Sequence, residues 1–118
     1  IRTADGDMED DVSDDQSAVI STEKGLVVVL GCCHSGLINT LTCISEKLGT
    51  RRFHAVFGGT HLAPVCVENR AKVLQALGGF DIARIGISHC SGLDIIVPLS
   101  QIYGDRFSYF GVGAVLEA

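Results

Sequence analysis

A predicted strand, a short glycine-containing loop and a helical pattern follow one another three times in this chain of 118 residues. The predicted strands cover residues 26–30, 53–57 and 81–87. The first is an uninterrupted apolar run with three valines, which is typical of a strand buried on both faces. After each strand, apolar residues recur at the spacing of a helix face. This alternation predicts an α/β domain with a largely parallel central sheet.

Further elements extend the pattern at both ends of the chain. Residues 17–21 form a predicted strand, and a turn at residues 23–25 joins it to the first apolar run as a hairpin. The predicted helices cover residues 37–48, 67–77 and 93–103, and the predicted closing strands cover residues 106–110 and 112–116. Gly49 stands at a helix C-cap position, and Asp94 is a candidate N-cap residue of the third helix. Pro98 is expected to kink that helix unless it falls in the first turn.

Acidic residues are concentrated at the start of the chain. Seven of the fourteen acidic residues lie within residues 1–15, which predicts a solvated, loosely ordered segment there and a domain over residues 16–118. The domain carries seven acidic and eight basic residues, and this balance argues against a nucleic-acid-binding surface. No apolar run approaches the roughly 18 residues of a membrane span. Neither a nucleic acid nor a membrane is therefore an expected partner.

The five cysteines have no spacing typical of a disulfide framework, and no CxxC motif is present. This pattern predicts a reducing, cytoplasmic setting. Cys43 and Cys66 are predicted to be packing residues. Cys33 and Cys90 each adjoin a histidine, so a thiolate–imidazole nucleophile is an alternative for this chain. Adjacency in sequence does not by itself bring two side chains together.

Three histidines follow directly after predicted strands. His34, His61 and His89 each lie between the end of a strand and the start of a helix. Because the carboxyl ends of parallel strands meet at one edge of a sheet, we expect the three side chains to share one site. Imidazole is a common ligand of zinc and also suits iron, so the sequence predicts a metal centre. His54 lies near the start of its strand, at the opposite edge, and is predicted to be structural.

Small residues beside the predicted ligands are candidates for substrate binding. These residues are Ser35, Gly36, Gly59 and Thr60. Glycines let the backbone turn sharply and leave room for a substrate, and backbone N–H groups at a helix start can bind a phosphate. The loop over residues 31–36 has glycines spaced as in a phosphate-binding loop. No Lys-Ser or Lys-Thr pair follows it, which argues against a nucleotide P-loop.

Several sequence segments resemble motifs of the metallo-β-lactamase superfamily, in the branch of 7,8-dihydropterin-6-methyl-4-(β-D-ribofuranosyl)aminobenzene-5′-phosphate synthase-like hydrolases. The resemblance covers nearly everything from Asp14 onward, with the motifs in order. The segments are DDQSAVISTEKG (14–25), GLVVVLGCCHSGLINTL (25–41), AVFGGTHL (55–62), SHCSG (88–92) and YGDRFSYFGVGAV (103–115).

This resemblance implies a fold, a chemistry and a set of ligands. His34 and His89 match metal ligands of the family, whereas His61 falls where many members have a bridging aspartate, so its role stays open. In a complete enzyme of this kind, one or two divalent metal ions activate water for attack on a phosphoester or related small-molecule ester. Zinc is the expected metal, with iron and manganese as alternatives.

One signature of the superfamily is absent from this sequence. The HxHxDH motif lies in the N-terminal half of the αββα sandwich, and no histidine precedes His34 here. The chain begins with Ile1 and resembles only the C-terminal half, a mixed sheet with about three helices. We therefore expect a fragment that lacks half of the ligands and has little activity by itself. Such a half would expose an apolar sheet face, which predicts self-association or pairing with an N-terminal half.

Two other classes of function stay open at this point. The chain could be a non-catalytic, self-associating binding domain derived from the hydrolase fold. It could also be a cysteine-based redox protein, in which case a cysteine with a low pKa is expected.

Overall fold

A five-stranded mixed sheet with three helices forms the body of the protein. The computed structural model describes residues 2–3, 6–7 and 13–115. The strands are β1 (Arg2–Thr3), β2 (Gly6–Asp7), β3 (Ser17–Thr22), β4 (Gly25–Leu30), β5 (Arg52–Gly59), β6 (Asp81–Ser88) and β7 (Phe107–Tyr109). The helices are α1 (Leu37–Leu48), α2 (Val67–Leu77) and α3 (Leu93–Tyr103). The predicted α/β class and the order of the main elements are confirmed.

The main sheet has the order β3-β4-β5-β6-β7, so strands that follow one another in the chain are neighbours. The β3–β4 hairpin is antiparallel, and the other three pairs are parallel. Each parallel pair is joined by a helix. Since such crossovers are right-handed and all three steps go in the same direction, the helices cover one face of the sheet.

The core lies between the sheet and the helices. Val28 and Val56 on neighbouring strands are fully buried, as are Leu41 of α1 and Leu99 of α3. Burial of a large aliphatic side chain stabilises the fold by about 1.5–3 kcal/mol. The β-branched residues of the strands and the helical spacing of the leucines thus explain why these segments fold against one another.

The helix boundaries agree with those predicted from the sequence, but one predicted helix cap is not present. α1 ends at Gly49, which has a left-handed φ of 66° and donates its N–H to the Ser45 carbonyl. Asp94 makes no cap, because Gly92 occupies the N-cap position of α3. Asp94 instead accepts a hydrogen bond from Arg70 Nη1 at 2.7 Å, which links α3 to α2. Pro98 lies beyond the first turn of α3, and the helix continues through it.

Other sequence predictions are corrected near the ends of the chain and at two cysteines. The closing strand is shorter than residues 106–110, and the described part of 112–116, residues 112–115, contains a turn and no strand. Cys43 and Cys66 are exposed rather than packed, because both lie on surfaces that the sheet does not cover. The predicted acidic segment, residues 1–15, falls largely outside the described residues.

The face of the sheet opposite the helices is partly covered by the chain itself. Phe110 folds back over Phe57, with ring centroids 4.7 Å apart, and it fills the space above Gly86. Ile20 remains 53% exposed on the same face. His54 is half-buried, and its Nε2 is buried without a hydrogen-bond partner among the described residues.

None of the helices in the described part of the chain is long and apolar enough to cross a membrane.

Candidate metal centre

Three loops lie at the carboxyl edge of the parallel strands, after β4, β5 and β6. They carry His34, His61 and His89, as the sequence predicted. His54 belongs to the first half of β5, away from this edge. The fold therefore brings three distant parts of the chain to one place.

The backbone of these loops is strained at specific residues. Among the described residues other than glycine, positive φ angles occur at Cys33 (60°), His61 (47°) and His89 (56°). The left-handed region costs a residue with a side chain of the order of 1–3 kcal/mol, and such strain is concentrated at functional sites. All three residues lie in the loops at the carboxyl edge, two of them at predicted ligands. This distribution favours a functional role for this edge of the sheet.

Two of the three histidines are in direct contact. The rings of His34 and His61 pack edge to face, with centroids 4.6 Å apart and an angle of 71° between their planes. Both residues are exposed. We refer to His34 and His61 as the imidazole pair.

Two aspartates before β3 hold the loop that carries the imidazole pair. His34 Nδ1 lies 3.0 Å from Asp14 Oδ2, and the Ser35 N–H donates to Asp15 Oδ2 at 2.9 Å. Because a carboxylate accepts, the first contact places a proton on Nδ1 and leaves Nε2 of His34 for another partner. Burial raises the pKa of Asp15, but hydrogen bonds from Ser35 and the neighbouring His34 lower it more, so the net pKa lies below its ordinary value.

The third histidine lies beside two cysteines rather than with the imidazole pair. Cys32, His89 and Cys90 each offer a ligand atom, and these atoms lie within 4.8 Å of one another. We refer to these three residues as the cysteine–histidine cluster. It is the one group of this kind among the residues that the structure describes. Partial burial and the neighbouring Cys90 raise the pKa of the Cys32 thiol.

Hydrogen bonds to Cys90 connect the cluster with the imidazole pair. The His61 N–H donates to Cys90 Sγ at 3.2 Å, and the Cys90 thiol donates to the Cys32 carbonyl at 3.5 Å. The Ala63 N–H donates to the Cys90 carbonyl at 3.2 Å. The three loops thus form one connected structure around Cys90.

Gly59 allows the loops after β4 and β6 to approach each other. Its N–H donates to the Gly31 carbonyl at 2.9 Å. A Cβ at this position would lie 2.7 Å from the Gly31 oxygen and 2.9 Å from Cys90 Sγ, closer than side-chain atoms pack. A larger residue would therefore push the cluster apart.

The predicted substrate-binding residues have different environments. Thr60 is buried, and both its N–H and its hydroxyl donate to Ser91 Oγ, at 3.2 and 2.9 Å. Ser91 in turn donates to the Ser88 carbonyl, so this network fixes the loop after β6. Ser35 is exposed and Gly36 is the N-cap of α1, where no side chain caps the helix. These two residues, rather than Thr60, have surface available to a ligand.

The neighbouring Cys33 has a structural environment. Its side chain is buried in the core, and its Sγ lies 3.4 Å from Thr40 Oγ1. Burial raises the pKa of its thiol, which disfavours the reactive thiolate. Cys33 is therefore a poor candidate for the nucleophile considered from the sequence.

The donors at this edge fit a transition metal ion. Imidazole and thiolate are the ligands that zinc and related ions prefer. Sequence reasoning found the histidines through their positions at strand ends. It missed Cys32 and Cys90 as candidate ligands, and it missed Asp14 as a partner of His34. Both cysteines stand in the same strand-end loops as the histidines, and that placement was the available signal.

The fold matches part of a metallo-β-lactamase superfamily hydrolase. The structure matches the crystal structure of a metal-dependent hydrolase of the beta-lactamase superfamily with a TM-score of 0.74 and 27% sequence identity. The match covers 86% of this chain and 40% of that one.

The sequence is homologous to part of the 7,8-dihydropterin-6-methyl-4-(beta-D-ribofuranosyl)-aminobenzene-5′-phosphate synthase of Methanocaldococcus jannaschii. The two are 28% identical over 108 residues, which are 92% of this chain and 37% of the synthase. An uncharacterized protein of the same organism is 29% identical over 109 residues, 39% of its length. No family model matches the chain. The chain thus spans less than half of the relatives it matches.

Proposed function

We propose that this chain is the C-terminal part of a metal-dependent hydrolase that acts on a phosphoester or related ester of a small molecule. The proposed metal ligands are His34 and His61, which are in contact, together with His89, which lies beside Cys32 and Cys90 at the same edge. The observation that carries the proposal is the contact between His34 and His61, whose ring centroids are 4.6 Å apart although the residues come from different strand-end loops. The similarity to a metal-dependent hydrolase supports a divalent metal.

The residues around His34 suit such a ligand. A metal-binding histidine commonly donates its second ring N–H to a carboxylate, which fixes the ring and raises its basicity. Asp14 provides that carboxylate at 3.0 Å. When bound, a divalent metal supplies Lewis-acid activation of water and of the ester or phosphoester oxygen. Zinc is the proposed ion, with iron and manganese as the alternatives.

The start of α1 is the proposed position of the substrate's anionic group. Gly36 leaves the first turn of the helix without a side-chain cap, and the N-terminal end of a helix attracts negative charge. Asp15 accepts hydrogen bonds from both the N–H and the hydroxyl of Ser35. The exposed Ser35 hydroxyl is the group that would turn from Asp15 to orient a substrate oxygen. Gly59 and Thr60 support the site by positioning the loops.

The complete site in this proposal includes residues that this chain does not contain. The HxHxDH signature is absent from the sequence. The remaining ligands would come from an N-terminal half of the fold, or the chain would associate with a second copy. Alone, the chain should bind metal weakly and hydrolyse esters slowly or not at all. A cytoplasmic location is part of the proposal, because all five cysteines are free thiols.

Metal binding by the purified chain, measured together with hydrolysis of a phosphodiester reporter, tests this function. We expect saturable zinc binding that His34→Ala and His61→Ala weaken by about tenfold or more. Loss of a residue that only supports a metal ligand typically costs 10–100-fold in metal affinity, so loss of a ligand should cost at least tenfold. His54→Ala is the matched control, since His54 lies at the other end of its strand. Hydrolysis that a chelator does not diminish, or zinc affinity unchanged in both variants, would contradict the proposal.

A second candidate is a non-catalytic, self-associating domain. Ile20 is exposed on the face of the sheet opposite the helices, and His54 Nε2 is buried without a partner among the described residues. Light scattering combined with metal analysis separates the two functions. A stable, metal-free dimer favours the binding domain, and stoichiometric zinc or iron favours the hydrolase.

A further inference from the structure

We propose that Cys32, His89 and Cys90 together bind a thiophilic transition metal ion, with two sulfur ligands and one nitrogen ligand. This proposal adds two cysteines that the resemblance to hydrolases does not suggest. It shares only His89 with the ligand set of the proposed function, and it rests on that function in no other respect.

The spacing of the ligand atoms supports this site. Zn–S bonds are about 2.3 Å and Zn–N bonds about 2.0–2.1 Å, so tetrahedral ligands lie roughly 3.5 Å from one another. The three ligand atoms of the cluster already lie within 4.8 Å of one another. Side-chain rotations that move each atom by about 1 Å would complete the coordination, without movement of the strands.

The backbone presents the two neighbouring residues, His89 and Cys90, to one point. A single 3₁₀ turn carries them, and His89 adopts a left-handed φ of 56°. Neighbouring residues in a regular strand point to opposite faces, so this turn is what places both side chains in the cluster. Ser91, buried directly after them, fixes the turn through its bonds to Ser88 and Thr60. The left-handed backbone at His89 is therefore part of the turn that brings the His89 and Cys90 side chains together in the cluster.

Cys90 also has the hydrogen bond that a metal-bound sulfur needs. The His61 N–H donates to Cys90 Sγ at 3.2 Å. Donors of this kind stabilise ligand charge and orient the ligand. The Cys90 thiol also donates its proton to the Cys32 carbonyl at 3.5 Å. Metal binding by both sulfurs as thiolates would release the Cys90 and Cys32 thiol protons to solvent and leave the His61 donor in place.

The exposure of the cluster leaves room for a further ligand. His89 is exposed and both cysteines are half-buried. Three protein ligands with an open fourth position are typical of zinc ions that take part in reactions, whereas closed sites with four protein ligands are structural. Thiolates favour zinc, cobalt and cadmium over magnesium and manganese. The cluster should therefore select against the harder ions.

Cobalt absorption spectroscopy of the reduced full chain tests this proposal. Thiolate ligation gives a charge-transfer band in the near ultraviolet, which ligation by imidazole alone does not give. We expect the band in the wild-type chain, at most half of its intensity in Cys32→Ser and Cys90→Ser, and full intensity in the control Cys43→Ser, since Cys43 is exposed on α1. Cobalt binding without the band in the wild-type chain would overturn the proposal.

A second measurement needs no substitution. Zinc should protect Cys32 and Cys90 from alkylation at least tenfold relative to Cys43, as read by mass spectrometry of the peptides. Equal alkylation of all three with zinc bound overturns the proposal, as does formation of a Cys32–Cys90 disulfide that zinc does not slow. The variant His34→Ala separates the two hypotheses, because it should weaken binding at the imidazole pair and leave the cobalt band. If His34→Ala weakens zinc binding but keeps the cobalt charge-transfer band, the result concerns the proposed hydrolase site and leaves the cysteine–histidine cluster untouched.

Discussion

The helix-covered core and the carboxyl edge of the same sheet are built on opposite principles. In the core, Val28, Leu41 and Leu99 are fully buried in regular strands and helices. At the edge, His61 and His89 adopt left-handed backbone conformations and stay exposed. The core supplies the stability that holds strained, polar loops in place, and such loops are retained where they serve a function. The difference supports the proposal that the chemistry of this chain takes place at the carboxyl edge.

Truncation in the core should have the largest effect on stability. Leu41→Ala removes a fully buried side chain of α1, and substitutions of this kind cost about 2–5 kcal/mol of unfolding free energy. Chemical denaturation followed by circular dichroism measures the loss. Zinc affinity of the folded variant should be unchanged. A change of more than about tenfold in zinc affinity (roughly 1.4 kcal/mol) would show that packing in the core and metal binding at the edge are energetically coupled.

Substitution of Gly59 should damage both regions, because this residue lies between them. The added Cβ of Gly59→Ala would lie 2.7 Å from the Gly31 oxygen and 2.9 Å from Cys90 Sγ. We expect a loss of about 1–3 kcal/mol in unfolding free energy, which is typical of overpacking. We also expect a weaker cobalt charge-transfer band. Gly78→Ala is the control, because Gly78 has a φ of −62°, which alanine also adopts, and the nearest atom to a Cβ there is 3.3 Å away. A wild-type band in a destabilised Gly59→Ala would contradict the proposed link.

Replacing His89 by glycine should relieve the backbone strain and make the fold more stable than replacement by alanine does. Either replacement should remove the imidazole and lower zinc affinity. Glycine adopts a left-handed φ without cost, so His89→Gly should be about 1 kcal/mol more stable than His89→Ala. Both variants should lose zinc affinity equally, since both lack the imidazole. The comparison uses thermal unfolding in the presence of a chelator. If the two variants are equally stable, the left-handed conformation stores no strain.

The smallest expected effect comes from Asp15, which holds the loop after β4. Its pKa in the folded protein is below the ordinary value of 3.8, so its charge stabilises the fold above pH 3.8. This stabilisation is lost as pH falls through the folded-state pKa. Asp15→Asn should therefore lower stability at pH 7 by well under 1 kcal/mol and have no effect at a pH well below the folded-state pKa. An equal loss at both pH values would show that charge plays no part.

Much of the fold could be predicted from the sequence because local signals and tertiary packing agree there. The apolar run of β4 predicts a buried strand, and the spacing of leucines in α1, which is capped by Gly49, predicts an amphipathic helix. Packing in the folded protein requires the same two elements. The prediction was wrong for residues 112–115, where alternating small and apolar residues imitate a strand but make no strand pairing. Asp94 was wrong as a cap because Gly92 occupies the N-cap position of α3, and Asp94 instead pairs with Arg70, 24 positions earlier.

The site was only partly predictable for a related reason. Strand ends show which loops share an edge, but not which side chains meet within it. His34 and His61 come together, whereas His89 turns toward Cys32 and Cys90. That choice depends on the left-handed backbone at His61 and His89, and nothing in the local sequence requires such a conformation. The contact of Asp14 with His34 spans 20 positions and could not be inferred from spacing.

Isothermal titration of the reduced chain with zinc tests the central claim, that the carboxyl edge is a metal centre, most directly. We predict saturable binding that His34→Ala, His61→Ala and His89→Ala each weaken by about tenfold or more (roughly 1.4 kcal/mol). His54→Ala, with its histidine at the other end of β5, should bind zinc as the wild-type chain does. Zinc affinity that is the same in all four variants and the wild-type chain, or no zinc binding at all, would contradict the claim.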